Sequence, residues 1–328
     1  MNDAPGTPLH IAVLKGGTSA EAAVSRMSAA EVVKGLVAAG HRATEVELDA
    51  SCTARLLALA PDLVFPALHG PPGEDGTVQG FLEIMGLPYV GSDVHGSAVA
   101  MDKSLAKVAF RRAGLPVAEE VVVDAHGSAE AAAAAILATM GDRVVIKPLR
   151  QGSALGITRM PDGGDLAAPI AAALRFGHGV LVEPFVAGRE ITVGVLDLYD
   201  HPPQALPVIE IRTATDQWYD YGNRYTAGSS EHVIPAPLPE RLLADLQRIA
   251  LAAHRVLGLR DLSRADFLVT QSDGIVLLET NTLPGMTPTS LFPDGAAALG
   301  IGFPELMDKL VRSALARARA SDNPSEKA

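Results

Sequence analysis

Three oxygen-bearing side chains in the C-terminal third of the chain have the types and spacing to hold a hard cation. Residues 264–287 read RADFLVTQSDGIVLLETNTLPGMT, two apolar runs (265–270 and 275–279) joined by Ser272-Asp273-Gly274. Asp-Gly between apolar runs marks a tight hairpin, because both residues tolerate positive φ. The register has two readings. With Asp273 and Gly274 as the loop, Asp266 faces Asn281 and Glu279 lies two along; with the loop one residue earlier, Asp266 faces Glu279. In both, Asp266, Glu279 and Asn281 share one face, since strand side chains alternate with period two. The neighbours Phe267, Leu268, Val269, Val276, Leu277 and Leu278 make a core strand pair, and charges in such a pair are costly unless a cation matches them. Two carboxylates and an amide oxygen suit Mg²⁺ held against phosphates. A solvated hairpin that polar residues merely decorate is the alternative.

The elements that position this cluster follow from patterning. Residues 9–14 (LHIAVL) read as a strand, followed by Lys15-Gly16-Gly17-Thr18-Ser19 and an Ala-rich helix that Gly40 stops. Such a strand–glycine–helix opening offers free N–H groups to an anion, although it lacks G-x-G-x-x-G. Strands at 42–48 and 63–68 around a helix at 54–59 argue for a parallel sheet. His69-Gly70-Pro71-Pro72-Gly73-Glu74-Asp75-Gly76 then leaves the end of a strand, where ligands of open α/β sheets gather. A helix at 77–85 follows. Next come helices at 103–113 and 128–140 with strands at 118–123 and 143–148, a smaller α+β lobe. Lys147 ends a strand and is followed by Arg150-Gln151-Gly152-Ser153-Ala154-Leu155-Gly156, a connection suited to lie over phosphates; a plain surface hairpin is the alternative. Strands are expected at 158–160, 180–183, 190–198 and 205–211, and helices at 239–257 and 303–320. Between 213 and 230 the chain is polar yet carries Trp218, Tyr219, Tyr221 and Tyr225, which reads as a long functional loop.

The bulk properties narrow the classes. A chain of 328 residues suggests two or three lobes. A formal charge of −11 argues against electrostatic binding to nucleic acid. The single cysteine, Cys52, excludes an intramolecular disulfide and fits a reducing compartment. Neither a signal-peptide pattern nor an apolar run of membrane-spanning length is found, so no membrane association and a cytoplasmic location are expected.

Taken in order, the pieces GGTSAE (16–21), ALHGPPGEDGTVQG (67–80), PYVGS (88–92), AMDK (100–103), VIKPLRQGSALG (145–156), VEPFVAGRE (182–190), PVIEI (207–211), WYDY (218–221), RADF (264–267) and LLETNTLPGMTPTSL (277–291) resemble the D-alanine–D-alanine ligases of the ATP-grasp superfamily. The likeness runs over residues 9–315. It implies a fold of α/β and α+β parts: a three-lobed ATP-grasp fold with an N-terminal parallel-sheet, Rossmann-like domain. The lobes expected are an N-terminal substrate domain (1–92), a central ATP-grasp lobe (93–182), a C-terminal lobe with the Mg²⁺ and substrate sites (183–320) and a disordered tail (321–328). The resemblance further implies ATP and Mg²⁺ as cofactors (a pair of ions, with Mn²⁺ an alternative), D-alanine as substrate, a role in peptidoglycan synthesis and a homodimer formed through the N-terminal lobe.

Site roles carry over residue by residue. Lys103 and Lys147 match phosphate-contacting lysines. Glu183, Phe185 and Val186 match the segment that meets adenine, and Glu190 the ribose contact. Asp266, Glu279 and Asn281 match the Mg²⁺ ligands. Glu21 matches the residue that holds the first D-alanine's ammonium, with Ser153 and Tyr225 as its partners, and His69 lies in the same region. Ser290 and Leu291 match contacts to the second carboxylate, and Arg264 with the N–H of Gly285 the donors to the oxyanion. Three residues have a structural alternative: Glu21 as support for the first helix turn, His69 as a packed loop histidine and Arg264 as an ion-pair partner. Two places depart from the family pattern. Ala22-Ala23-Val24-Ser25 stands where Arg-Glu-Val-Ser is usual, and Gly222-Asn223-Arg224 replaces Glu-Ala-Lys in the aromatic loop. Both lie toward the substrate end, so an acceptor such as D-serine or D-lactate is the main alternative to D-alanine. A catalytically silent nucleotide-binding regulator and a Rossmann oxidoreductase are minor alternatives, the former opposed by the full set of metal and phosphate residues and the latter by the missing glycine fingerprint.

Overall fold

The computed structural model describes residues 7–213 and 228–322. The expected aromatic loop therefore lies largely outside the described residues, with Trp218, Tyr219, Tyr221, Arg224 and Tyr225 among them.

The chain opens as a parallel α/β unit. Strands β1 (His10–Lys15), β2 (Arg42–Glu47) and β3 (Leu63–Pro66) pair in the order β2-β1-β3. Helix α1 (Ala22–Ala38) covers one face, and α2 (Cys52–Leu59) and α3 (Thr77–Ile84) cover the other. β1 is buried along its length because both faces are covered. Helix α4 (Val94–Met101) follows, then α5 (Lys103–Arg112), where Asp102 caps the first turn by accepting from the N–H groups of Ser104 and Leu105.

A second sheet has the order β4-β7-β5-β6, built from β4 (Val121–Val123), β5 (Val144–Pro148), β6 (Thr158–Arg159) and β7 (Val180–Pro184). Helices α6 (Ala129–Thr139) and α7 (Ala167–Leu174) cover one of its faces through Ile136, Ile146, Ile170 and Val182. β7 carries this sheet to Pro184, two residues past the boundary expected at 182.

The third sheet runs β11-β10-β8-β12-β13, with β9 paired to β8. Its strands are β8 (Arg189–Asp197), β9 (Gln204–Ala205), β10 (Ile209–Thr213), β11 (Ser230–Val233), β12 (Asp261–Val269) and β13 (Ile275–Asn281). Helix α8 (Glu240–Val256) packs on one side through Leu242, Leu246 and Ala253. Helices α9 (Leu291–Ala298) and α10 (Phe303–Asp322) join this sheet to α1 in one shared core, where Phe292, Leu306 and Leu310 meet Val32 and Leu36. No helix among the described residues is long and apolar enough to cross a membrane.

Several expectations are corrected. The strand at 118–123 holds only Val121–Val123. The strand at 205–211 is two, β9 and β10, because Pro207 between them has no N–H for the ladder. Helix α10 runs to Asp322, into the stretch expected as a tail. The β12–β13 hairpin has a loop of three residues, 271–273, rather than two. Asp273 N–H donates to the Thr270 carbonyl at 3.1 Å and Thr270 N–H to that of Gly274 at 2.9 Å. Asp273 alone takes the left-handed conformation, at φ 63°, the three-residue loop with a left-handed last position.

Candidate active site

The register between β12 and β13 decides the geometry of the cation cluster. Asp266 pairs with Glu279 and Arg264 with Asn281, while Phe267 pairs with Leu277, so one extra residue bulges from β13 at Leu278. The bulge converts the register set by the turn into the one that opposes the two carboxylates. It places Arg264, Asp266, Glu279 and Asn281 on a single face. Thr192 of the adjoining β8 pairs with Asp266 from the other side.

Asp266 is saturated with donors. Its Oδ1 accepts from Arg264 Nε at 2.9 Å and Thr192 Oγ1 at 2.6 Å. Its Oδ2 accepts from Arg264 Nη2 at 2.7 Å and Asn281 Nδ2 at 3.1 Å. Glu279 faces Lys103 at 3.4 Å, and Lys103 Nζ also donates to the Gln151 carbonyl at 2.6 Å. Two carboxylates and one amide thus converge, with Arg264 and Lys103 supplying the countercharge. The oxygen types suit Mg²⁺, which Asp266 would take by exchanging its protein donors and Asn281 by turning its amide oxygen to the ion. Among the described residues no group of three or more His, Cys, Asp or Glu forms a separate metal cage.

The residues expected to meet the nucleotide, Lys103 excepted, line a cleft between the second and third sheets. Lys147 and Glu183 come from β5 and β7, Phe185 and Val186 from the connection after β7, Glu190 from β8, and Asp266 and Glu279 from the hairpin. Lys147 Nζ donates to Glu183 Oε2. Phe185 is held by its N–H on the Arg143 carbonyl at 2.8 Å and by the Arg159 guanidinium 5.3 Å from its ring centroid.

Glu21 sits just before α1 and makes no side-chain capping bond. Its Oε1 instead accepts from Ser153 Oγ, across from the glycine-rich connection. The carboxylate lies between the Gly70 and Gly152 backbones, where a Cβ would stand 2.7 and 3.0 Å from Oε2. Gly70 also holds φ 65°, where any other residue is strained, whereas at Gly152 a Cβ would press only on the flexible end of Glu21. Ser153 and Ala154 hold left-handed φ values of 47° and 60°, each costing on the order of 1–3 kcal/mol. That strain aims the hydroxyl at Glu21.

His69 is buried in the same loop, its Nε2 2.9 Å from Ser28 Oγ. Burial, then the nearby Arg264, push its pKa down to about 4, against a backbone bond with Leu283 that raises it. It is a neutral, packed histidine near the substrate end. Gly285, Ser290 and Leu291 lie together at the start of α9. Ser290 Oγ accepts from Thr287 N–H at 2.9 Å, and a Cβ on Gly285 would stand 2.7 Å from that oxygen. The Leu291 side chain is buried with Ile209 and Ile211. Tyr225 lies outside the described residues.

Three comparisons with known proteins bear on this geometry. A family model described as D-ala D-ala ligase C-terminus matches residues 109–312, and one described as D-ala D-ala ligase N-terminus matches residues 41–92. The chain belongs to the D-alanine–D-alanine ligase family. Relatives named D-alanine--D-alanine ligase include those of Gluconobacter oxydans, 45% identical over 94% of this chain and 100% of the relative, and Moorella thermoacetica, 43% identical over 94% and 99%. The D-alanine–D-alanine ligase structure from Coxiella burnetii superposes with a TM-score of 0.81 at 27% identity, covering 97% of both chains. That from Bacillus anthracis complexed with ATP does so at 0.80 and 29%, covering 95% of this chain and 99% of the other.

Within this ligase-family scaffold, the structure adds Glu74 to the residues singled out in the sequence. Glu74 Oε2 accepts from Gly70 N–H at 2.6 Å. Its carboxyl is pushed up to about 8, first by burial and then by the Glu21 carboxylate, against the lowering effects of the Gly70 bond and Arg264. Its only sequence signal is its place in the Gly-Pro loop; its carboxylate neighbours come from other elements. Over the window from the ordinary 4.5 to about 8 the folded protein keeps a proton that the unfolded chain has released, so stability contributed here falls as pH rises. Glu74→Gln keeps the acceptor for Gly70 and has no such loss. Thermal melts at pH 5, 7 and 9 should therefore show the variant gaining on the parent up to about pH 8, whereas parallel curves would remove the assignment.

Proposed function

We propose that this protein joins two D-alanines into D-alanyl-D-alanine, consuming ATP through an acyl phosphate, for peptidoglycan synthesis. The observation that carries the reading is one small cavity lined together by Glu74, Lys103, Gln151, Gly152, Glu279 and Asn281. It joins the N-terminal loop, the glycine-rich connection and the hairpin, and shares Glu279 with the nucleotide cleft.

A carboxylate is a poor acyl donor until it is phosphorylated, and in-line transfer is catalysed mainly by positioning and charge neutralisation. Lys103 and Lys147 hold the phosphates, and Glu183, Phe185, Val186 and Glu190 hold the nucleoside. Asp266, Glu279 and Asn281 would hold Mg²⁺, which when bound supplies charge neutralisation at the phosphates. Glu21, braced by Ser153, holds the first D-alanine's ammonium. That D-alanine's own carboxylate oxygen takes the γ-phosphoryl group and ADP leaves. The second amine, arriving unprotonated, attacks the acyl carbon; Arg264 and the Gly285 N–H receive the oxyanion, phosphate departs and the nitrogen gives up its proton. Ser290 and the Leu291 N–H, at the start of α9, hold the second carboxylate, as a helix N-terminus favours.

Support for a homodimer through the N-terminal lobe is the apolar surface of Leu57 on α2 and Ile84 on α3, 69% and 89% exposed. Sedimentation of the parent and Ile84→Asp checks it, with a shift to monomer expected only in the variant. The cytoplasm is the compartment that supplies ATP.

Phosphate release from ATP and Mg²⁺ with D-alanine alone tests the function, with products identified by mass. Turnover giving D-alanyl-D-alanine is expected. Turnover only when D-alanine is paired with D-serine or D-lactate would make the Gly222-Asn223-Arg224 departure a mark of a different acceptor. Absence of turnover with every pair would overturn the ligase reading.

A further inference from the structure

Two lysines hold the Glu183 carboxylate, and they are not equivalent. Lys147 bonds Oε2 and lines the nucleotide cleft. Lys107, on the buried face of α5 one turn after Lys103, bonds Oε1 from behind and is not among the residues lining the cleft. Its side chain is 1% exposed. Its ammonium also stands 3.1 Å from Glu120, whose carboxylate takes the half-exposed Arg111 guanidinium. Charges therefore alternate from surface to cleft through Arg111, Glu120, Lys107, Glu183 and Lys147.

A buried ammonium costs several kcal/mol to desolvate even when paired, and an apolar residue of similar size often serves stability as well. Its presence behind a cleft residue therefore asks for a functional reason. Burial raises the Glu183 carboxyl, yet Lys147 and Lys107 together hold it below the ordinary glutamate value, so both cations matter to its charge. In the ligase reading above, on which this inference rests, Lys147 is also claimed by the phosphates of ATP.

We propose that Lys107 is the fixed counter-ion of Glu183, a positioning residue that keeps this carboxylate aimed at the purine's exocyclic amino group when Lys147 turns to the phosphates. Lys107 thereby sets the preference for adenine over 6-oxopurine nucleotides. When Lys147 turns away, Oε2 has a free lone pair. An amino N–H satisfies it, whereas the keto oxygen of hypoxanthine meets it as a second acceptor. Without Lys107 the carboxylate follows Lys147 or takes up a proton, and in either case the discrimination is lost.

The test is the ratio of ATP to ITP affinity with Mg²⁺ and no D-alanine, read by titration calorimetry on the full chain. A charged hydrogen bond corresponds to about 10-fold or more in affinity, so the parent should prefer ATP by about that factor. Lys107→Met should reduce the preference to within about threefold, chiefly by weakening ATP. Because that variant leaves a charge imbalance in a buried chain, Lys107→Met/Glu120→Gln is measured beside it. This pair removes one charge of each sign and leaves Glu183 with Lys147 alone. It should lose the preference too, while Glu120→Gln alone should keep it within about twofold. A balanced pair, or a folded Lys107→Met, that retains the parent's ratio overturns the proposal, as does a parent that binds the two nucleotides equally. D-alanine-dependent ADP formation by the parent is measured separately, and its absence would remove the ligase reading while the nucleotide ratio still tests Lys107.

Discussion

Glu279→Gln is expected to reduce ATP turnover by about 10²-fold or more, the scale of removing one preorganised electrostatic contact from a phosphoryl-transfer site. The melting temperature should barely move. Glutamine has the shape of glutamate, and the strand pairing of Asp266 with residue 279 rests on backbone bonds. The 3.4 Å contact to Lys103 is partly exposed, at 27% for the Glu279 side chain, and such pairs are worth about 0–1 kcal/mol. What the substitution removes is one of the two negative charges opposed across the ladder, and with it the affinity for a divalent cation. The Mg²⁺ concentration giving half-maximal rate should therefore rise while the apparent affinity for D-alanine stays near the parent's. A variant that turns over normally at unchanged Mg²⁺ would show that the hairpin carboxylates do not hold the metal.

That the three oxygens share a face could be read in the sequence from strand alternation on the premise of a two-residue loop. The loop formed has three residues and would by itself set Asp266 opposite Leu278; the bulge that restores the shared face was not legible, since its signal is an ordinary apolar run. Elements with strong periodicity and clear stops were legible: β1, α1 with Gly40 after it, and α8. Three helices were not. In α9, Pro293 and Gly295 read as loop chemistry, yet proline is tolerated in a first turn whose N–H groups have no partner anyway. Pro169 sits likewise in the first turn of α7. In α4, Gly96 looks like a breaker but serves packing: a Cβ there would stand 3.1 Å from Leu259 Cδ2 and 3.3 Å from the Gly258 carbonyl. Site residues that act through non-local partners were equally silent. Thr192 reaches Asp266 only because β8 lies beside β12, and Lys107 meets Glu183 only because α5, packed with α8 and β13, brings its ammonium to the end of β7. Family resemblance supplied the roles of Glu21 and Ser153; the structure supplied the contact between them.

Arg264→Lys is expected to lower kcat by about 10²–10³, the cost of one oxyanion donor, with little change in the KM for ATP. Arg264 is buried and uses Nε and Nη2 to fork both oxygens of Asp266. A lysine has the charge without the planar fork, so it cannot bond both oxygens and still present a fixed donor to the acyl carbon. The weakened pairing should also cost about 1.5–3 kcal/mol of stability, the range for a hydrogen bond to a charged group. The structural alternative, an arginine that only braces Asp266, predicts a different split. Asp266 would then move, the Mg²⁺ requirement would rise as it does in Glu279→Gln, and kcat would recover at saturating metal. An oxyanion donor leaves kcat low however much Mg²⁺ is added. Because Arg264 and the metal ligands share the one Asp266 carboxylate, this metal titration separates the two roles where a single activity value would merge them.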